Sequence, residues 1–154
     1  MREILFRGKT IKQNDGVTTG NPIKENMWVY GNLTVGKIEG YKCDMISNKK
    51  EIYYINSETI GQFTGLTDKN GKKIFEGDII RLTPPKESGE IYIPTPRNPQ
   101  EDRILKVIFF DGMFAVDMSK WFKYGHGKVA LQTYETNRIE IIGNIYDNPE
   151  LLEV

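Results

Sequence analysis

The stretch that decides the fold runs from Glu58 to Ile80 and has the sequence ETIGQFTGLTDKNGKKIFEGDII. β-Branched and aromatic residues lead into an Asp-Lys-Asn-Gly segment, and two short apolar runs follow, separated by Glu76-Gly77-Asp78. Asn70-Gly71 predicts a type I′ hairpin turn, because both residues tolerate the positive φ angles that this turn requires at its two central positions. The stretch therefore predicts the strand, turn and strand of a small β domain.

Strand candidates extend in both directions from this stretch, where β-branched and aromatic residues are bounded by turn residues. Gly31-Asn32 is expected to form a turn or a bulge, and Asp111-Gly112 a second hairpin turn. Residues 34–50 favour no single assignment. The strand candidates cover residues 2–9, 27–33, 51–55, 72–75, 79–82, 104–110, 113–116, 128–134 and 138–146.

Helical signals are limited to single turns. Ser119 fits the start of a short helix, with an irregular connection as the alternative. Asn148 followed by Pro149 predicts an N-cap and one closing helical turn. We therefore expect little helix in the chain.

Residues 83–103 contain five of the seven prolines, which are Pro84, Pro85, Pro94, Pro96 and Pro99. Proline interrupts central sheet pairing, so this stretch predicts an insertion outside the core, within which residues 89–93 are able to form a small ribbon. The chain as a whole is predicted to be mostly β, with a smaller N-terminal β region (residues 1–57) and a β domain (residues 58–154). The pattern alone does not distinguish a small barrel from a small sandwich.

Composition excludes several classes of protein. Hydrophobic residues make up 38% of the 154, which predicts a packed core rather than disorder. Lysine plus arginine and aspartate plus glutamate number 21 each, so any nucleic-acid or membrane binding needs a local patch. Cys43 is the single cysteine, which excludes an intramolecular disulfide. With no apolar stretch long enough for a signal peptide or a membrane span, the expected location is cytoplasmic.

Several separated blocks of the chain resemble the YopX family of bacteriophage and prophage proteins. The most specific are GLTDKNG at 65–71, FEGDI at 75–79 and GNIYDNPEL at 143–151, supported by REILFRGK at 2–9, WVYG at 28–31 and VIFFDG at 107–112. The resemblance implies a mostly β protein of a phage or prophage in a bacterial host, with a C-terminal part similar to an SH3-type barrel. It is compatible with an oligomer and brings no catalytic residue set.

Four acidic residues offer oxygen ligands for a divalent metal, namely Asp68, Glu76, Asp78 and Asp111. All of them belong to turn segments that contain glycine, where Asp is explained by hydrogen bonds to the turn backbone. We prefer the turn interpretation. The sequence accordingly predicts no metal and no cofactor.

Cys43 and His126 would make the simplest covalent catalyst, as nucleophile and base. Nothing in the sequence places them together: His126 lies in a polar Gly-His-Gly turn, and Cys43 is expected to be a semi-buried small residue. The glycine loops of nucleotide-binding sites are absent, although acids distant in sequence can still meet in space. We therefore predict no enzyme and no catalytic residue.

Cations lie in two short segments, one around the Asn-Gly turn and one before Tyr53 and Tyr54. A nucleic-acid surface combines such cations with aromatic rings on which bases stack. The alternative is a solvated hairpin tip together with core or cross-strand tyrosines. The candidate contact residues are Lys69, Lys72, Lys73, Lys49 and Lys50.

Three functional hypotheses follow. The first is a non-enzymatic phage accessory protein that binds itself as a homo-oligomer, or binds a host or phage macromolecule, since a β-rich design has strand edges that need pairing or protection. The second is nucleic-acid binding through the basic 69–73 hairpin. The third is a metal-dependent hydrolase. The sequence names neither the ligand nor the number of subunits.

Overall fold

A computed structural model describes residues 3–12, 22–38, 40–85, 101–122 and 125–153. The chain divides into two compact units, Met1–Gly65 and Leu66–Val154. This division falls inside one strand, whereas the sequence placed a boundary between residues 57 and 58, which stays a prediction. The first unit contains β1 (Phe6–Lys9), β2 (Trp28–Ile38), β3 (Tyr41–Ser47), β4 (Ile52–Ile55), a 3-10 turn (Ser57–Thr59) and most of β5 (Gly61–Thr67).

The second unit contains β6 to β11, and its described part has no helix longer than one 3-10 turn. The strands are β6 (Lys73–Phe75), β7 (Asp78–Leu82), β8 (Arg103–Phe110), β9 (Met113–Asp117), β10 (Lys128–Ala130) and β11 (Ile139–Asn144). The 3-10 turns are Ser119–Trp121, Leu131–Thr133, Thr136–Arg138 and Pro149–Leu152. The prediction of a mostly β chain with little helix is confirmed. In the described ranges no helix is long and apolar enough to cross a bilayer.

Strand β2 changes its partner midway along its length. Phe6 of β1 lies opposite Gly31, and Ser47 of β3 lies opposite the next residue, Asn32, in an antiparallel sheet of order β4-β3-β2-β1-β5. A Cβ atom on Gly31 would collide with the carbonyl oxygen of Ser47. The predicted turn or bulge at Gly31-Asn32 is therefore wrong, because glycine is needed there for close backbone approach within a continuous strand.

Residues 34–50, which had no assignment, form the second half of β2 and all of β3. Gly40 connects the two strands with a φ angle of +86°, a conformation that favours glycine. Beyond β1, the Ile11 N–H donates to the Tyr54 carbonyl of β4 at 3.0 Å. The sheet thus curls around a small core of Val29, Ile46 and Ile55.

The second unit is built on an antiparallel sheet of order β10-β9-β8-β7-β11. The last strand of the chain, β11, pairs with β7, with Ile139 opposite Leu82 and a register shift between Ile141 and Gly143. The described strands form an open sheet and no closed barrel. One face carries the larger core, which includes Ile80, Leu82, Leu105, Val107, Val116, Leu131 and Ile139.

The turn at Asn70-Gly71 differs from the predicted type I′. Only Gly71 has a positive φ angle, +78°. The Gly71 N–H donates to the Asp68 carbonyl at 2.9 Å, and the Asp68 N–H donates to the Lys72 carbonyl at 2.9 Å. This is the longer hairpin connection in which a turn is followed by a left-handed glycine. At the second hairpin, both Asp111 (+47°) and Gly112 (+77°) have positive φ, and the predicted turn is confirmed.

Single helical turns occur at both predicted places, Ser119–Trp121 and Pro149–Leu152. The Asn148 side chain does not cap the second turn. Its Oδ1 atom instead accepts a hydrogen bond from the Asn144 N–H at 3.4 Å. The predicted strand 128–134 ends at Ala130, and most of the proline-rich 83–103 insertion, with its 89–93 ribbon, lies outside the described residues.

Candidate functional site

Asp68 organises the hairpin loop that holds the candidate lysines. Its Oδ1 accepts hydrogen bonds from the N–H groups of Asn70 and Lys72, both at 2.9 Å, and its Oδ2 accepts from the Ile141 N–H at 3.1 Å. Burial raises the pKa of Asp68, but these hydrogen bonds outweigh burial and hold the pKa below its ordinary value. The turn role predicted for this carboxylate is confirmed.

The hairpin lysines differ in their surroundings. Lys69 Nζ lies 2.9 Å from Glu140 Oε2, and the same carboxylate oxygen lies 3.4 Å from an Arg81 nitrogen. Lys73 is half-buried, whereas Lys72 is exposed. The positive charge of the predicted basic hairpin is therefore partly neutralised by a strand of its own unit.

Lys49 and Lys50 lie in the first unit, in the exposed turn between β3 and β4. Asn48 Oδ1 accepts hydrogen bonds from the N–H groups of Lys50 at 2.8 Å and Glu51 at 3.0 Å, which accounts for the local conformation. Tyr53 packs against the core of that unit. It follows the cross-strand interpretation and offers no free ring for stacking at this turn.

The other candidate acids are placed by the turns that contain them. Asp78 Oδ2 accepts a hydrogen bond from the Phe75 N–H at 2.8 Å, and Asp111 occupies the β8–β9 turn with φ of +47°. Glu76 is half-buried. Within the described ranges, no three His, Cys, Asp or Glu side chains come close enough together to hold a metal ion. The structure does not bring the four acids into one metal site.

Cys43 and His126 belong to different units. Cys43 is half-buried in β3. His126 is exposed, its Nδ1 accepts the Lys128 N–H at 2.9 Å, and its ring lies 5.0 Å from that of Phe110. The contacts of His126 describe a turn residue, as the sequence predicted.

A pocket that the sequence did not reveal lies on the outer face of β8 and β9 in the second unit. Its volume is about 240 Å³. Ile104 and Lys106 point to this face because they alternate with the buried core residues Leu105 and Val107. The lining residues are Ile104, Lys106, Asp117, Ser119, Lys120, Trp121 and Leu152.

Two residues of the lining, Asp117 and Ser119, form a hydrogen-bond network with Lys128. Ser119 Oγ donates to Asp117 Oδ1 at 2.6 Å, and Lys128 Nζ lies 2.9 Å from the same oxygen and 2.5 Å from Ser119 Oγ. Burial raises the pKa of Asp117, but the hydrogen bonds from Ser119 and Lys128 outweigh it and lower that pKa. Lys128 Nζ donates a hydrogen bond to Ser119 Oγ and to Asp117, so in this arrangement it does not accept the Ser119 proton as a base would.

A tryptophan forms one wall of the pocket. The guanidinium carbon of Arg103 lies 4.4 Å from the centre of the Trp121 ring, and Lys120 Nζ lies 5.9 Å from it. These are cation-π distances. The sequence signal was limited to Trp121 and Phe122 between two strands, and it did not show that Lys106 and Leu152 meet them.

The protein-family model described as YopX protein matches residues 20–153 of the chain. The chain belongs to the YopX family. The resemblance noted from the separated sequence blocks is therefore confirmed.

A curated relative shares part of this YopX sequence. The SPbeta prophage-derived uncharacterized protein YopX of Bacillus subtilis (strain 168) is 36% identical over 84 residues, which make up 54% of this chain and 52% of that protein. The matched region thus spans about half the length of the curated relative.

Two solved structures are similar to the chain to different extents. The crystal structure of protein yopX from Bacillus subtilis aligns over 99% of both chains with a TM-score of 0.51 and 19% identity, a likeness that concerns the fold alone. Protein EF1440 from Enterococcus faecalis aligns over 79% of this chain and 75% of its own, with a TM-score of 0.37 and 26% identity.

Proposed function

We propose that this chain is a phage-associated accessory protein of the bacterial cytoplasm that works without catalysis, by self-association. The observation that carries the proposal is the distribution of exposed apolar side chains. Among the described residues, five of the six large ones lie in the first unit, and Ile4 and Val35 are the most exposed at 65% and 60%. The other three in that unit are Ile11, Met27 and Tyr30.

A second copy of the chain is the partner that these residues favour. Covering apolar surface that is exposed to water lowers the free energy by roughly 25 cal/mol per Å². The formal net charge of zero means that two copies approach without net repulsion. A homodimer with two-fold symmetry covers the same patch on both subunits.

Three further points support this proposal. The curated relative is named as prophage-derived, which favours a phage context. The carboxylates of Asp68 and Asp78 accept hydrogen bonds from backbone N–H groups in turns, which favours a binding function over hydrolysis. The return of β11 beside β7 supports the expectation of an SH3-type arrangement, an architecture used by many proteins that bind.

Light scattering coupled to size exclusion at micromolar concentration tests self-association. We expect the wild-type chain to form a dimer or larger oligomer and the double variant Ile4→Lys/Val35→Lys to shift toward the monomer. The matched control is Phe109→Lys, which changes the one large apolar residue of the second unit that is exposed among those described. A strictly monomeric wild-type chain would remove the proposal.

Nucleic-acid binding through the 69–73 hairpin is the second candidate. The observation in its favour is the exposed ammonium group of Lys72, which no described side chain pairs. Affinity should fall steeply with salt and weaken in Lys72→Glu or Lys73→Glu. Absence of a mobility shift with single- or double-stranded DNA or RNA at low salt would contradict it.

A further inference from the structure

The pocket beside Trp121 combines an aromatic ring, apolar floor and positive charge in one recess. Ile104 and Leu152 supply aliphatic surface next to the indole ring. Arg103 lies 4.4 Å from the ring centre and packs along that ring. The volume of about 240 Å³ is below the roughly 300 Å³ of pockets for drug-sized ligands, so the recess fits a single planar ring system such as a nucleobase.

The charges around the recess favour an anion. Lys106 is half-buried and forms neither an ion pair nor a side-chain hydrogen bond with any described residue. Lys120 lines the same recess. The one carboxylate of the lining, Asp117, is neutralised by Lys128 at 2.9 Å and accepts the Ser119 hydroxyl. Lys106 therefore presents to the recess a positive charge that no described carboxylate pairs.

We propose that this pocket binds one nucleotide unit of single-stranded nucleic acid, with the base against Trp121 and the phosphate near Lys106 and Lys120. Proteins that bind single strands pair cations that track the backbone with aromatic rings on which bases stack. Arg103 does not line the pocket, but it packs against Trp121 and restrains the ring. The inference goes beyond self-association and does not depend on it.

The chain has two tryptophans, which makes the test direct. In a Trp28→Phe background Trp121 is the single indole, and we expect oligothymidylate to quench its fluorescence at low salt. Binding of labelled oligothymidylate, followed by anisotropy, should weaken about five-fold or more in Lys106→Ala, because a phosphate contact is lost. The log-log salt slope should fall by about 0.7 in the same variant. Lys42→Ala, which removes an exposed lysine outside the pocket and outside the 69–73 hairpin, should bind like the wild type.

Thymidine monophosphate and inorganic phosphate separate base recognition from simple anion binding. We expect the monophosphate to quench Trp121 and inorganic phosphate alone to leave it unchanged. Trp121→Phe, which keeps a ring against the core, should retain part of the affinity. Oligomeric state, measured on the same samples, should stay the same in Lys106→Ala, so failure of this inference is distinguishable from failure of self-association.

The following results would overturn the inference. One is the absence of Trp121 quenching in the Trp28→Phe background, and another is equal affinity of Lys106→Ala and the wild type for oligothymidylate. A third is a greater loss of that affinity in Lys72→Ala than in Lys106→Ala. A fourth is equal competition with oligothymidylate by inorganic phosphate and by the monophosphate. Equal competition by polyglutamate would likewise overturn it, in favour of an acidic peptide.

Discussion

Asp68 Oδ2 accepts a hydrogen bond from the N–H of Ile141 at 3.1 Å, across 73 residues of sequence. Ile141 lies in β11, the edge strand of the second unit, and the neighbouring Ile139 carbonyl accepts the Lys69 N–H at 2.8 Å. One carboxylate thus shapes the hairpin loop and also occupies the edge of a sheet. An edge covered in this way is protected from pairing with another chain.

Replacing Asp68 with alanine should destabilise the chain by about 1–3 kcal/mol, because the N–H groups of Asn70, Lys72 and Ile141 lose their carboxylate acceptor. Urea unfolding measures the loss. The matched control is Asp111→Asn at the other hairpin, where asparagine also tolerates positive φ and little change is expected. Equal stability of Asp68→Ala and the wild type would contradict the anchoring role.

The stability contributed by Asp68 should depend on pH. Its folded pKa lies below the ordinary value of 3.8, so the contribution is fully present above that value and is lost as the pH falls through the folded pKa. Asp68→Asn should therefore show a shallower loss of stability between neutral and acid pH. Parallel acid-unfolding curves for the two proteins would count against this prediction.

Two glycines with positive φ should respond differently to alanine. Gly71 (φ +78°) has no atom near the position of an added Cβ, so the cost is conformational, about 1–2 kcal/mol. Gly127 (φ +63°) would place a Cβ 2.5 Å from the Ser119 Cα, and its backbone would have to move. Urea midpoints should therefore fall further in Gly127→Ala than in Gly71→Ala. Equal falls in the urea midpoint would contradict this prediction, because they would show that the backbone at Ser119 moves without a cost in stability.

The pKa of Asp117 should rise in either Ser119→Ala or Lys128→Met, because each change removes a hydrogen bond that lowers it. Carboxyl chemical shifts followed by NMR during an acid titration report this pKa directly. Lys120→Met is the control, since Lys120 makes no hydrogen bond to Asp117 among the described contacts. A pKa that is unchanged in both test variants would refute the network.

Much of the sheet content could be predicted from local sequence. Alternating and β-branched residues placed β4, β7, β8 and β9 within one or two residues of their observed bounds. Residues 34–50 were missed because glycines and charged residues hide the alternation there, and the pairing with β3 shows only in the fold. The Asn70-Gly71 turn was predicted with the wrong geometry, since the type I′ prediction used only the tolerance of Asn70 and Gly71 for positive φ, whereas Asn70 is held by the Asp68 carboxylate without a positive φ.

The candidate site divides in the same way. Lys72 was named from sequence and is exposed, but the neutralisation of Lys69 by Glu140 was invisible because the two residues are 71 positions apart. Trp121 was noticed, whereas the pocket beside it needs Lys106 and Leu152 from other elements. These pocket residues come together only after the strands have paired, so their spacing in the sequence does not predict the pocket.

By itself, the sequence determined the β character of the chain, the positions of the Asn70-Gly71 and Asp111-Gly112 turns and its membership of the YopX family, because alternation, turn chemistry and family motifs are local. Tertiary structure alone decided the change of partner within β2, the return of β11 beside β7, the use of Asp68 as an edge cap and the pocket at Trp121. The physical reason is that these features depend on contacts between residues far apart in the chain, whose formation reflects the packing of whole strands rather than the preferences of any one segment.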